Sequence, residues 1–215
     1  MKISLNEQTI DLLPQRAILL PDQTLVAADV HLGKASAFQA RGLAVPEGDS
    51  SADLARLTLL VRRHHASRLI INGDLFHSSA GFTLDIEQSI QTWLSNIGVP
   101  VLLVVGNHDH KLPRLPQNLE SVTSIQVKNF HIVHDPADVE NHRPAIAAHW
   151  HPVARIADGK RTSLRLPCFL LRDGILVLPS FGSFTGGAII ERKAGDRVFV
   201  FPRDQVIEVP SPLLR

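Results

Sequence analysis

The sequence predicts an α/β fold: a parallel or mixed β-sheet with helices from the first half of the chain, packed on a second β-sheet from the second half, within one domain. Three observations carry this. The first half alternates short apolar runs with stretches of helical period. The second half is a succession of short strand-like runs without a helical pattern between them. Apolar residues make up 44% of 215 residues, enough for a substantial core.

Taken in order, residues 16 to 20 and 24 to 28 read as buried strands joined by a turn at Pro21-Asp22. From residue 49 to 67, Leu54, Leu57, Leu60 and Val61 recur at helical spacing, with Asp49 or Ser50 as the expected cap. Residues 68 to 71 form a short strand ending in Asn72-Gly73. A second helix is expected over residues 83 to 97, with Leu84, Ile90, Trp93, Leu94 and Ile97 inward. Residues 99 to 105 are a near-continuous apolar run, as a strand covered on both faces requires. Strands follow near residues 121–127, 129–134, 144–149, 168–172, 175–178, 197–201 and 205–209, with Asp173-Gly174 as a hairpin turn.

Composition narrows the setting. The formal charge is +1, so any affinity for nucleic acid must rest on a local patch. Cys168 is the single cysteine, which excludes an intrachain disulfide and suits a reducing cytoplasm. Residues 1 to 7 lack the apolar core of a secretory signal, and no run is long enough to cross a bilayer. Eleven histidines stand against no tyrosine, so their spacing matters.

Four clusters fall just beyond strand ends: Asp29-Val30-His31, Gly73-Asp74, Gly106-Asn107-His108-Asp109 and His149-Trp150-His151. Ligand sites of open α/β sheets gather at the carboxyl ends of strands. In extended backbone, residues i and i+2 share a side, so Asp29 and His31 could grip one cation together, and His149 and His151 likewise point one way. Two divalent ions repel, so an anion must lie between them, and Asp74 is the candidate. Asn107 offers a neutral oxygen. His134 offers another imidazole, with His131 and His142 as competitors. Oxygen and imidazole donors without thiolate suit Mn²⁺, Fe²⁺ or Zn²⁺. Water shared by such ions can attack phosphorus in line. His108 would stabilise the developing charge or protonate the leaving oxygen, oriented by Asp109. Singly, each motif reads as a turn or a polar strand face. Four in order, each after an apolar run, read as a metal site.

This ordered pattern resembles the calcineurin-like metallophosphoesterases over roughly residues 29 to 151, with Ala148 where the family usually has glycine. The resemblance implies a four-layer α/β/β/α sandwich of two mixed β-sheets. It implies one metal held by Asp29, His31, Asp74 and His151, a second by Asp74, Asn107, His134 and His149, and His108 as catalytic histidine. Residues 29–34, 38–43 with Pro46, and 179–187 further resemble the bacterial ligase-associated DNA damage response endonucleases. That resemblance implies a manganese-dependent DNA endonuclease in DNA repair, associated with an ATP-dependent DNA ligase, a helicase and an exonuclease-like protein. Lys34, Arg41, Lys160, Arg161 and Arg165 could hold flanking phosphates, against the plainer reading of a solvated surface. Phe181 and Phe184 could stack on bases but are more often core, Trp150 is expected to pack below the site, and His77 and His110 could support it. Rival readings are a small-molecule phosphodiesterase or nucleotide hydrolase, a phosphoprotein phosphatase, and a scaffold that has lost catalysis.

Overall fold

The structure, a computed structural model, describes residues 1–46, 48–139, 144–157 and 162–214. Two mixed β-sheets pack face to face. The first follows chain order: β1 (Lys2–Leu5), β2 (Gln8–Leu13), β3 (Ala17–Leu19), β4 (Thr24–Ala27), β5 (Arg68–Asn72), β6 (Val101–Val104) and β7 (Glu120–Val122). Strands β1 to β4 are antiparallel neighbours, and β4 to β7 run parallel. Three helices, α1 (Lys34–Gln39), α2 (Asp49–Arg63) and α3 (Leu84–Asn96), make the crossovers.

The central strands bury both faces, which their unbroken apolar runs require. Leu25, Ala27, Leu69, Ile71 and Leu103 face Leu54, Leu57, Leu60 and Val61 of α2 and Ile90 and Trp93 of α3. The alternate residues Val26, Ile70 and Val104 face the second sheet through Phe130, Ile132, Ile146, Phe169, Leu176 and Phe199. This period of two is what pins the register of each strand.

The second sheet contains β8 (Ser124–Val127), β9 (Phe130–Val133), β10 (Ala145–Ala147), β11 (Pro152–Ala157), β12 (Ser163–Arg172), β13 (Ile175–Val177), β14 (Ala188–Ile189), β15 (Arg197–Val200) and β16 (Ile207–Glu208). Strands β9, β10 and β13 are parallel, and β12 pairs antiparallel with β11, β13 and β15. Its outer face buries Ala145, Cys168, Val177 and Val200 under Val139, Val209 and Leu214, which lie in turns and the carboxyl-terminal segment. Among the described residues the α-helices cover the first sheet only.

Several expectations change in detail. The single strand expected near residues 121–127 is two strands, β7 in one sheet and β8 in the other, so this segment carries the chain across the sandwich. Helix α2 starts from Gly48 in a left-handed conformation, and neither Asp49 nor Ser50 caps it. Ser50 Oγ instead accepts from the Gly33 amide, tying α2 to the start of α1. Leu84, expected inward, is 72% exposed because it is the first residue of α3, outside the stripe formed by Ile90 and Trp93. The Asp173-Gly174 turn is as expected: both residues have positive φ, 49° and 77°, and join Arg172 to its partner Ile175.

Leu57 is fully buried. Leu57→Ala should cost about 2–5 kcal/mol in urea unfolding, whereas Leu84→Ala should stay within about 0.5 kcal/mol.

Candidate metal centre

The parallel strands deliver their carboxyl ends to one edge of the sandwich. Asp29 follows β4, Asp74 follows β5, residues 106–109 follow β6, His134 follows β9 and His149 follows β10. Backbone pairing continues past the strand ends, because the Asp29 and His31 amides donate to the Gly73 and Asp74 carbonyls at 3.0 and 2.9 Å. Segments distant in sequence are therefore fixed to one another before any side chain is considered.

Among the described residues three groups of side chains converge here at spacings that could hold a cation: Asp29, His31 and His151; Asp74, His134 and His149; and His31, His77 and His108, an all-imidazole group that shares His31 with the first and lacks a carboxylate. Asn107 Oδ1 lies 3.4 Å from His134 Nε2 and joins the second group. Asp74 stands between the first two, its Oδ2 3.9 Å from His31 Nε2 and 3.6 Å from His134 Nε2. His134, rather than His131 on the body of β9, reaches the site. His142 lies outside the described residues.

The backbone at these residues is turned rather than extended. Asp29, His31, Asp74, His149 and His151 all have positive φ, between 43° and 66°. Asp29 and His31 meet because two left-handed residues flank one ordinary residue, rather than by strand alternation; His149 and His151 share that backbone pattern but go to different groups. Such conformations cost about 1–3 kcal/mol each and persist where surroundings over-determine them. Gly73 has a simpler role: at φ 79°, a Cβ would lie 1.8 Å from His134 Nδ1.

The electrostatics fit a cation. His31 Nε2 and His151 Nε2 face each other at 3.4 Å. Buried Asp29 Oδ1 lies 3.2 Å from His151 Nε2, yet without hydrogen-bond alignment. Three histidines tie Nδ1 to a backbone carbonyl: His151 to Gly186 at 3.2 Å, His134 to Asn72 at 3.1 Å, and His108 to His77 in a short contact. With the proton on Nδ1, Nε2 presents a lone pair, the arrangement of metal-binding imidazoles. Burial pushes the His31 imidazole down to about 3 against the pull of Asp74, so it stays neutral. Burial would also lower His134, but the Asp74 hydrogen bond and nearby carboxylates raise it to about 9. Burial raises Asp74, yet contacts from His134 and the His108 amide win and bring it to about 2. These donors, carboxylate, amide oxygen and imidazole with no thiolate, suit Mn²⁺, Fe²⁺ or Zn²⁺.

Asp109 does not touch His108. Its oxygens accept from the Phe76 and Gly106 amides, each at 3.0 Å, so it clamps the loops after β5 and β6 together. Burial raises its carboxyl to about 6. The His77 carbonyl takes the orienting place instead, and the His77 ring stacks on His108 at 5.5 Å. Asp135, 3.6 Å from His149 Nε2, carried no signal in the sequence.

A cleft of about 450 Å³ opens on these groups, lined by His31, Lys34, His77, His108, Trp150 and Thr185 among others. Lys34 is its one lysine or arginine among the described residues, with Nζ 5.6 Å from the Phe184 ring. Arg41 is exposed just beyond α1. Arg165 is exposed on β12 opposite Arg155, roughly 10 Å along β11 from Pro152, and does not line the cleft. Lys160 and Arg161 lie outside the described residues. Phe181 is fully buried, with Arg56 4.3 Å above its ring, whereas Phe184 is 41% exposed at the rim. Asp53 accepts from the Ser183 amide at 2.8 Å, so α2 anchors this loop. Trp150 stands at the rim rather than below the site. His110 is exposed and does not line the cleft.

A family model described as calcineurin-like phosphoesterase matches residues 23–175. No curated protein matches the sequence. Among solved structures the chain is similar to the Pseudomonas putida nuclease MPE, at 29% identity and a TM-score of 0.80, covering 97% of this chain and 99% of that one. It is more distantly similar to Yfce, a phosphoesterase from E. coli, at 14% identity and a TM-score of 0.45, covering 86% and 97%.

Gly73→Ala should displace the His134 ring and destabilise the fold by about 1–3 kcal/mol. Gly98→Ala, also at positive φ but with open space around it, should keep the His134 imidazole resonances unchanged. Histidine NMR and urea unfolding of the two variants check this.

Proposed function

Because the chain belongs to the calcineurin-like phosphoesterase family, we propose that it is a phosphodiesterase using two divalent metal ions, with DNA as substrate. The observation carrying this reading is the pair of three-residue groups with Asp74 between them. Asp29, His31 and His151 would hold one ion, and Asn107, His134 and His149 the other. Asp74 would serve both, placing an anion between two cations. Manganese fits the donor set. When bound, such ions neutralise phosphoryl charge and furnish a nucleophile at neutral pH.

The chain's own groups do the rest. His108 is held at Nδ1 by the His77 carbonyl, so that as imidazolium, protonated on both nitrogens, its Nε2–H would pass a proton to the leaving oxygen. Its amide donates to Asp74 Oδ1 at 2.8 Å, so the proton donor and the shared carboxylate are positioned as one unit. Asp109 supports catalysis through the loops it clamps. Lys34 balances a flanking phosphate, and Phe184 offers a face to a base. Arg41, exposed just beyond α1, would extend that cationic side. A DNA substrate is supported by the similarity to a protein described as a nuclease. Work in DNA repair within the cytoplasm belongs to the same reading. A small phosphodiester is the second reading, favoured by a cleft with a single lysine or arginine among the described residues.

Nicking of supercoiled plasmid and cleavage of single-stranded DNA with Mn²⁺ test the proposal. Wild type should cut both, and His108→Ala should lose about 10²–10⁴-fold in kcat. Cleavage of bis-p-nitrophenyl phosphate but not DNA would favour the second reading. Undiminished hydrolysis by Asp74→Ala would refute the site itself.

Metal loading should also release protons. Without metal, His134 is raised to about 9 and is protonated at pH 7, but only the neutral imidazole can ligate. Loading at pH 7 should expel roughly one proton from the His134–Asp74 pair, and affinity should rise between pH 6 and 9. Calorimetry in buffers of different ionisation enthalpy measures this; no proton release at pH 7 contradicts it.

A further inference from the structure

Trp150 lies between His149 and His151 in the chain, yet its indole is 38% exposed. A large aromatic side chain left in water forgoes burial that it could otherwise gain. Trp150 lines the histidine cleft on one side. On the other it lines two depressions, of about 340 and 180 Å³, that also contain Arg172 and Lys193. It is therefore the shared wall between the candidate metal centre and the surface leading away from it.

This wall is held firmly. The Trp150 amide donates to the Ala148 carbonyl at 2.7 Å, and the flanking residues have φ of 66° and 43°. Arg172 Cζ sits 5.8 Å from the ring centroid. That guanidinium is immobilised by Asp196 through contacts of 2.8 and 2.6 Å and by the Glu191 carbonyl at 2.7 Å. Its charge is already balanced by Asp196, so it backs the indole without acting as a free phosphate anchor. Among the described residues the other charged groups of these depressions are Glu191, Asp173 and Lys193, a mixed set with no net cationic pull, set among apolar residues such as Ile175, Val177 and Ile189. What this surface offers a ligand is a flat, pre-positioned aromatic face. Bases stack on such faces regardless of their identity.

We propose that Trp150 is the stacking platform for the nucleobase next to the scissile phosphate. The inference rests on the DNA-cleaving reading above and names the residue that seats the strand. One base would lie on the indole while its neighbouring phosphate enters the cleft beside His108 and His151. Trp150 thereby acts as a positioning residue that favours bases free to leave a duplex stack.

The test compares an oligothymidylate with an abasic tetrahydrofuran oligomer of the same length, which keeps the phosphates and lacks the bases. Wild type with Mn²⁺ should prefer the thymidylate in kcat/KM. That preference should fall roughly tenfold in Trp150→Ala and be largely kept in Trp150→Phe. Each preference is a ratio within one protein, so a lower active fraction cancels. An unchanged preference in Trp150→Ala, or none in wild type, overturns the stacking role while leaving DNA cleavage standing. Wild type that hydrolyses bis-p-nitrophenyl phosphate but cuts neither oligomer overturns the DNA reading, and the stacking role with it.

Discussion

At one edge of the sandwich the fold gathers groups that sit badly together unless a cation lies among them. Two imidazole Nε2 atoms face each other at 3.4 Å, and a buried carboxylate oxygen beside them lacks a hydrogen-bond partner. Desolvated polar atoms without partners cost stability. The backbone carbonyls that hold Nδ1 of His134 and His151 turn each Nε2 into the site, toward Asn107 Oδ1 at 3.4 Å and His31 Nε2 at 3.4 Å. Asp74 Oδ2 lies 3.6 Å from His134 Nε2, and each partner favours the charged form of the other.

The scaffold makes this arrangement tolerable. Parallel strands in both sheets end at the same edge, and their cores fix register through strict alternation of apolar residues. Asn72 joins the sheets there: its side chain donates to the Val133 carbonyl at 3.1 Å, and its own carbonyl holds His134. Left-handed backbone at five acidic or histidine positions is affordable because each lies against a neighbouring strand end. Asp and His also enter this conformation more readily than most residues.

Much of this was legible in the sequence, because each cluster follows an apolar run that had to be a strand. The two-sheet α/β fold followed from the change of pattern between halves. What was not legible was local. Asp29 and His31 do meet, yet through turned backbone rather than strand alternation. Trp150 follows the same rule: alternation would point it away from its neighbours, whereas two flanking left-handed residues bring it to the rim. Asp109 could not be read correctly because its partners are backbone amides from two different loops, one more than thirty residues earlier. Strands β1 and β2 did carry a signal, since Ile3, Leu5, Ile10 and Leu12 alternate, but each run is short.

The central claim is that seven scattered side chains form a single site for two cations in close proximity. Titration of the metal-free protein with Mn²⁺, followed by electron paramagnetic resonance, addresses it directly. The account predicts two ions per chain whose signals broaden and couple as the second site fills, as expected for ions about 3.5–4 Å apart. One ion per chain, or two with the independent spectra of isolated Mn²⁺, would contradict it.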